Sequence, residues 1–313
     1  MKSFTLIAPA KINLHLEILG IRPDNYHELV MIMQTIDLAD RVELKASNSD
    51  EIILHCGHPD VPLDETNLAY RAAELMQQEF PNAFGKYGGV EITLHKQIPI
   101  AAGLAGGSGN AAAVLVGIDL LWELGLTQGD LQKLGARLGS DVPFCISGGT
   151  AIATGRGDVI SPLPSLEGIY VVLGKYRSLE VSTPWAYTTY RHLFEHDYAG
   201  DVDSLGNRSH QIHSGDLVKA IVARDPVKIG KLLYNDLEKV VLPDYPLVDR
   251  LRTEFQRYHN LGTMMSGSGP TVFSLATSQE QAETLYHQVR AAIPDPDLEL
   301  FVAQFCDRGI AVI

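Results

Sequence analysis

Four glycines and three alanines fall within the eleven positions from Ile100 to Asn110, immediately before the longest apolar helical stripe of the chain. Pro99, Gly103, Leu104, Ala105, Gly106, Gly107, Ser108, Gly109 and Asn110 therefore form a candidate anion cradle. Small residues let backbone N–H groups approach a phosphate closely, and a helix starting there adds its unpaired N–H groups and positive dipole end. The dipole alone supplies only about 0.3 to 2 kcal/mol, so several N–H bonds, Lys96 and a magnesium ion are expected to supply the rest. A tight strand-to-helix connection would also use glycine, but it does not need this many small residues. The register G-x-x-x-x-G-K-[ST] is absent, as is G-x-G-x-x-G, so two common nucleotide-binding folds lose support.

Two further residues have types suited to group transfer. Lys11 alternates with aliphatic neighbours in a strand-like run, and Asp141 lies between Gly139 and the apolar Val142-Pro143-Phe144. Phosphorylating an alcohol needs a group to take or steer its proton and positive charge near the oxygen. On residue type and spacing alone, a solvated strand lysine and a turn aspartate account for both better than catalysis does. Tyr26 and His27 follow the turn signal Pro23-Asp24-Asn25, which places them at an exposed loop tip, where a ring can stack on a base and an imidazole can bond its edge.

The elements that must position these residues are legible in outline. Ile12, Leu14, Leu16 and Ile18 alternate with Lys11, Asn13, His15 and Glu17 through one half-buried strand, which puts the second set on one face. Asn67 opens a helix ending near Phe80-Pro81, and capping is as good an account of Asn67 as ligand binding. Val90 to His95 reads as a strand, and the helix after the glycine tract carries Ala111, Val114, Leu115, Ile118, Leu121 and Trp122 on a wide apolar face. Thr127 caps a helix that stops at Gly139. Thr150 to Leu163 reads as strand, turn, strand, and the Pro-rich run at 161–165 as a boundary between domains 1–161 and 162–313. Beyond it come a strand from Ile169, a helix with Thr183 as cap and Pro184 first, and a polar loop from His196 to His213. Two or three helices follow, then a Ser/Gly turn between short strands, a helix from Gln279 to Ala292 and a last strand from Leu298 to Phe305. This order lacks regular βαβ alternation and predicts an α+β fold.

Composition excludes other classes. With 25 Lys+Arg against 38 Asp+Glu the formal charge is −13, which disfavours nucleic acid and anionic membranes as partners. Screening limits that repulsion to about 8 Å, so a few cations inside a cleft are expected to outvote a distant acidic surface. No apolar run spans a bilayer, and the N-terminus shows no signal or transit pattern. The expectation is a cytoplasmic protein, or a processed one in a plastid stroma, acting as a monomer or weak homodimer. Cys56, Cys145 and Cys306 read as reduced buried thiols, and no histidine cluster points to a metal site.

Three segments together resemble the GHMP kinase superfamily: Ala8-Pro9-Ala10-Lys11-Ile12-Asn13-Leu14, the tract from Pro99 to Ala112, and Met264 to Phe273. Asn25-Tyr26-His27-Glu28 and Leu138 to Phe144 look like its diphosphocytidyl-methylerythritol kinase branch. The resemblance implies a two-domain α+β fold with a deep cleft, ATP with Mg²⁺, and a cytidylated sugar-alcohol substrate. It further implies catalytic roles for Lys11 and Asp141, and substrate contacts from Asn13, Tyr26, His27 and Tyr187, with the base held between aromatic rings. Adenine contacts are implied for Asn67 and Lys96. The family commonly carries Ser-Ser where this chain has Ser108-Gly109, so a metal-ligand role carries over only to Ser108.

Overall fold

The computed structural model describes residues 2–47, 49–198 and 215–313. Two long antiparallel strands, β1 (Ser3–Ile21) and β2 (His27–Ala46), form the spine of an eight-stranded sheet. It runs in the order β12-β1-β2-β4-β3, with β3 (Ile52–Cys56), β4 (Val90–His95) and β12 (Ala311–Val312). Off this path, β5 (Thr150–Gly155) pairs with β2, β6 (Val159–Pro162) with β5, and β8 (Tyr234–Asn235) with β1. The second sheet is antiparallel, in the order β11 (Leu298–Gln304), β7 (Tyr170–Tyr176), β10 (Val272–Ala276), β9 (Gly262–Met265). This is the α+β architecture the element order predicts. β8 and β12 lie beyond residue 161 yet extend the first sheet, so the chain returns twice across the expected boundary.

One layer of helices covers the first sheet: α1 (Leu68–Glu79), α2 (Pro81–Tyr87), α3 (Gly106–Trp122), α4 (Gln128–Leu138) and α5 (Val142–Ser147). The helix α3 is central. Its residues are buried nearly all round, and Gly117 is where it meets the sheet, since an added Cβ would come 2.6 Å from Leu44. Such a helix is held by burial on all faces rather than by one stripe. The helices α6 (Thr183–Phe194), α7 (Asp216–Val222), α8 (Pro226–Lys231), α9 (Glu238–Asp244), α10 (Pro246–Gln256) and α11 (Gln279–Ala292) gather around the second sheet. Between the sheets, Ile12, Leu14 and Ile32 meet Val171, Leu173 and Phe273 in a shared core.

Several local expectations need correction. The cap of α6 is Ser182, whose hydroxyl accepts the Trp185 amide; Thr183 is the first helical residue. Four helices, not two or three, lie between residues 216 and 256. The apolar segment after Asp141 is itself a helix, α5. Cys145 is buried, but Cys56 and Cys306 are only half-buried; all three are free thiols. Most of the expected loop, 199–213, lies outside the described residues.

The alternation in β1 also breaks. Register shifts fall between Pro9 and Ala10 and between Asn13 and His15. A bulge reverses which face each later residue occupies. Lys11 and Asn13 therefore share a cavity wall with Leu16, while His15 turns to the ring of Tyr234, 5.4 Å away. The expectation of one face carrying Lys11, Asn13, His15 and Glu17 fails at Leu14.

Candidate active site

A cavity of roughly 880 Å³ opens between α3, β1, the loop before β2 and the N-terminus of α6. Its floor at one end is the start of α3. Ala105 precedes the helix in the left-handed region (φ 58°) and offers no side-chain cap. The first helical bond there runs from the Gly109 amide to the Ala105 carbonyl at 2.8 Å. By helix geometry the amides of Gly106, Gly107 and Ser108 precede that bond and have no intrahelical acceptor. These three residues, with Pro99, Gly103, Ala105 and Asn110, line the cavity.

Leu104 and Gly109 do not. Leu104 is buried, and its carbonyl accepts the Lys11 amide at 3.1 Å, tying the loop to β1. Gly109 faces the other way: an added Cβ would rest 3.6 Å from Ala8 and from the Pro9 carbonyl. The missing serine at this position thus removes a group that would begin against β1. Gly103 is required by its conformation (φ +73°) and by contact, because a Cβ would stand 2.3 Å from the Ser266 carbonyl. The Ser266 hydroxyl returns a bond to the Gly103 carbonyl at 3.1 Å. The Ser/Gly turn between β9 and β10 is therefore a brace for the glycine loop.

At the centre, the structure brings Lys11 and Asp141 together. Lys11 Nζ lies 3.4 Å from Asp141 Oδ2 and donates to Asn13 Oδ1 at 2.8 Å. Lys11 and Asn13 are buried, whereas the Asp141 side chain is 28% exposed and faces the cavity. Two turns fix the pair: Asp141 stands at the head of α5, and Gly267 presses on β1, with a would-be Cβ 3.6 Å from Lys11 Nζ. At that separation the opposite charges attract and hold the carboxylate turned toward Lys11. Cys145, one turn further along α5, is held far up from the usual thiol value by burial and then by Asp141, and stays protonated.

The far wall is aromatic. The rings of His27 and Tyr187 sit 5.1 Å apart, and the Arg156 guanidinium covers Tyr26 at 5.0 Å. Tyr26 is exposed as expected, but His27 is half-buried at the start of β2. Burial, with the Arg191 charge adding to it, holds the imidazole below the usual 6.5. It is thus mainly neutral at pH 7, and among the described residues its Nε2 has no hydrogen-bond partner. Tyr187 is pushed up by burial and remains a phenol.

Asn67 and Lys96 also line the cavity, with prior commitments. Asn67 caps α1 through the Ala69 amide at 2.9 Å, so both accounts offered by its sequence position are compatible with its place. Lys96 is ion-paired with Asp40 and donates to Asn110 Oδ1 at 3.1 Å. Sequence reasoning missed Asp40 and Arg156. The first is one of several charged residues along β2 and carries no local signal, and the second sits in a Gly-Arg-Gly-Asp run that reads only as a turn.

Two family models match the chain: the GHMP kinases N terminal domain over residues 67–149 and the GHMP kinases C terminal over 217–295. A protein of Nostoc punctiforme named 4-diphosphocytidyl-2-C-methyl-D-erythritol kinase is 64% identical over 313 residues, covering 100% of this chain and 99% of that one. The chain belongs to the GHMP kinase family. The crystal structure of a 4-(cytidine 5'-diphospho)-2C-methyl-D-erythritol kinase superposes on this GHMP kinase with a TM-score of 0.73 at 30% identity, covering 96% of this chain and 98% of that one. The homoserine kinase of Cytophaga hutchinsonii reaches 0.75 at 21% identity, covering 100% and 98%, and shares the fold. The two-domain α+β kinase fold expected from the sequence is thereby established.

Proposed function

We propose that this GHMP kinase transfers the γ-phosphoryl group of ATP to the 2-hydroxyl of 4-diphosphocytidyl-2-C-methyl-D-erythritol, a step toward isoprenoid precursors by the non-mevalonate route. The observation that carries the reading is the Lys11–Asp141 pair, 3.4 Å apart, opening on the same cavity as the free amides of α3. In this reading the substrate hydroxyl lies beside Asp141. Its oxygen forms the new bond to the γ-phosphorus, the bond from that phosphorus to the oxygen of ADP breaks, and the hydroxyl proton passes to the Asp141 carboxylate. Lys11 orients the hydroxyl and offsets its developing charge, and Asn13 bonds the neighbouring hydroxyls of the polyol. The amides of Gly106, Gly107 and Ser108 take phosphate oxygens.

Among the described residues no three His, Cys, Asp or Glu gather as a metal centre. Mg²⁺ binds through one or two protein oxygens and otherwise through substrate phosphates and water. Ser108 is the cavity's candidate protein ligand, and the ion when bound would neutralise charge on the phosphate oxygens. No helix among the described residues is long and apolar enough to cross a membrane, and the proposed site of action is the cytoplasm or a plastid stroma.

Tyr26, His27 and Tyr187 support a base-bearing substrate over a bare alcohol, because a stacking wall serves only a ligand with a ring. The test is ADP release with the cytidylated alcohol beside mevalonate and homoserine. Turnover is expected with the first alone; activity only on an uncytidylated alcohol would refute the assignment.

A further inference from the structure

Asp40, on β2, is fully buried and does not line the cavity. Both its oxygens are saturated. Oδ1 accepts the amides of Gln97 and Ile98 at 2.8 and 2.9 Å, which fixes the chain leaving β4. Oδ2 accepts Asn110 Nδ2 at 2.9 Å and takes Lys96 Nζ in an ion pair. Lys96 donates a second bond to Asn110 Oδ1 at 3.1 Å. An ammonium has three protons, and this arrangement engages two of them, leaving one for a ligand. Lys96 Nζ is also 3.2 Å from where a Cβ on Gly106 would stand, directly beside the first residue of α3.

We propose that Asp40 is a positioning residue for the nucleotide: it locks the Lys96 ammonium against the first turn of α3, so that side-chain and backbone donors present one rigid surface. The inference rests on reading that end of the cavity as the ATP site. A misplaced donor loses its bond steeply with distance and angle, so precision here sets nucleotide affinity. Asp40→Asn is nearly isosteric and keeps an oxygen for Gln97 and Ile98, but turns an amide N–H₂ toward Lys96. The lysine then loses its counter-charge and its seat.

The test is ADP affinity by titration calorimetry, together with steady-state kinetics, on the full chain. For D40N the Kd for ADP and the KM for ATP should rise together about tenfold, while kcat falls less than threefold and the KM for the alcohol holds. In the Asp40→Asn, Lys96→Met double variant, the ADP affinity should match Lys96→Met alone, because Asp40 acts through that lysine. Asn110→Ala, which leaves Asp40 and its backbone bonds in place, should weaken ADP in the same direction and keeps the test available if D40N misfolds. Unchanged ADP affinity, equal losses for both substrates, or additive single effects would overturn the proposal. Failure of the unaltered chain to phosphorylate any alcohol would instead count against the reaction assigned above, with ADP binding still testing Asp40.

Discussion

Replacing Asp141 by Asn removes one charge and one proton acceptor while preserving shape. At 3.4 Å and an effective dielectric of about 20, its attraction to Lys11 is on the order of 5 kcal/mol before desolvation is counted. The carboxylate is 28% exposed, so water screens part of that figure. Removing one partner of a fully buried pair costs roughly 3–5 kcal/mol and of an exposed pair about 0–1. The expected loss of folding stability is therefore about 1–3 kcal/mol, measurable by denaturant unfolding. The chemical loss should be larger. A positioned base contributes about 10²- to 10⁴-fold, equivalent to roughly 3–5.5 kcal/mol at 1.36 kcal/mol per decade. Coupled ADP release at saturating substrates should show kcat down by that factor, with the KM for ATP nearly constant because the α3 amides are untouched. Turnover within tenfold of the unaltered chain would refute proton acceptance by this carboxylate, leaving Asp141 as at most a partner that orients Lys11.

Three other changes probe separate parts of the site. Gly103→Ala forces a Cβ to 2.3 Å from the Ser266 carbonyl in a residue with φ +73°; the left-handed conformation alone costs about 1–2 kcal/mol, so a lower Tm and weaker ADP binding are expected. Tyr187→Ala should raise the KM for the cytidylated substrate by about 5- to 150-fold, from a stacking contribution of about 1–3 kcal/mol, and leave the KM for ATP alone. His27 titrates below 6.5 in the folded chain. Well above pH 6.5 neither state binds this proton and the residue is neutral for stability; as pH falls through 6.5 the unfolded chain takes the proton first, so folding weakens. His27→Gln should accordingly lose less Tm than the unaltered chain between pH 7 and the acid side of 6.5, and parallel curves would show that this ring does not carry the effect.

What was legible in the sequence were the elements whose cause is local. β4 and α11 match their expected bounds because strand alternation marks the first and an amphipathic pattern the second, which the structure caps with Ser278. In α4 the Thr127–Asp130 capping box is formed as its spacing implies. The bulge in β1 was hidden for a physical reason. Lys11, Asn13 and Leu14 are all buried, because the strand is covered on both faces, so apolar and polar residues alternate identically with or without a register shift. Asp40 was hidden because its partners lie 56 to 70 residues away, and no short-range pattern encodes such a pairing. The cavity-facing half of the glycine tract could not be separated from its buried half either, since Gly107 and Gly109 differ only in which way the helix turns them.

The charges in the cavity change the electrostatic argument made from composition. The sequence suggests that a few cations inside a cleft would overcome the net −13. The cations are there, but each is spoken for: Lys11 by Asp141, Lys96 by Asp40, and Arg156 by Asp158 at 3.0 Å. A paired cation presents the short-ranged field of a dipole, so it attracts a polyphosphate weakly until contact and then mainly through directional N–H bonds. The free amides at the head of α3 act in the same way, at bonding distance and along fixed directions. Under the proposed function, recognition of the phosphate chain depends on where backbone donors point, which the Gly103–Ser266 brace and the left-handed Ala105 decide. Such a site tolerates an acidic surface because it does not work by long-range attraction. By the same reasoning, its affinity is more exposed to a change in loop conformation than to the removal of a distant surface charge.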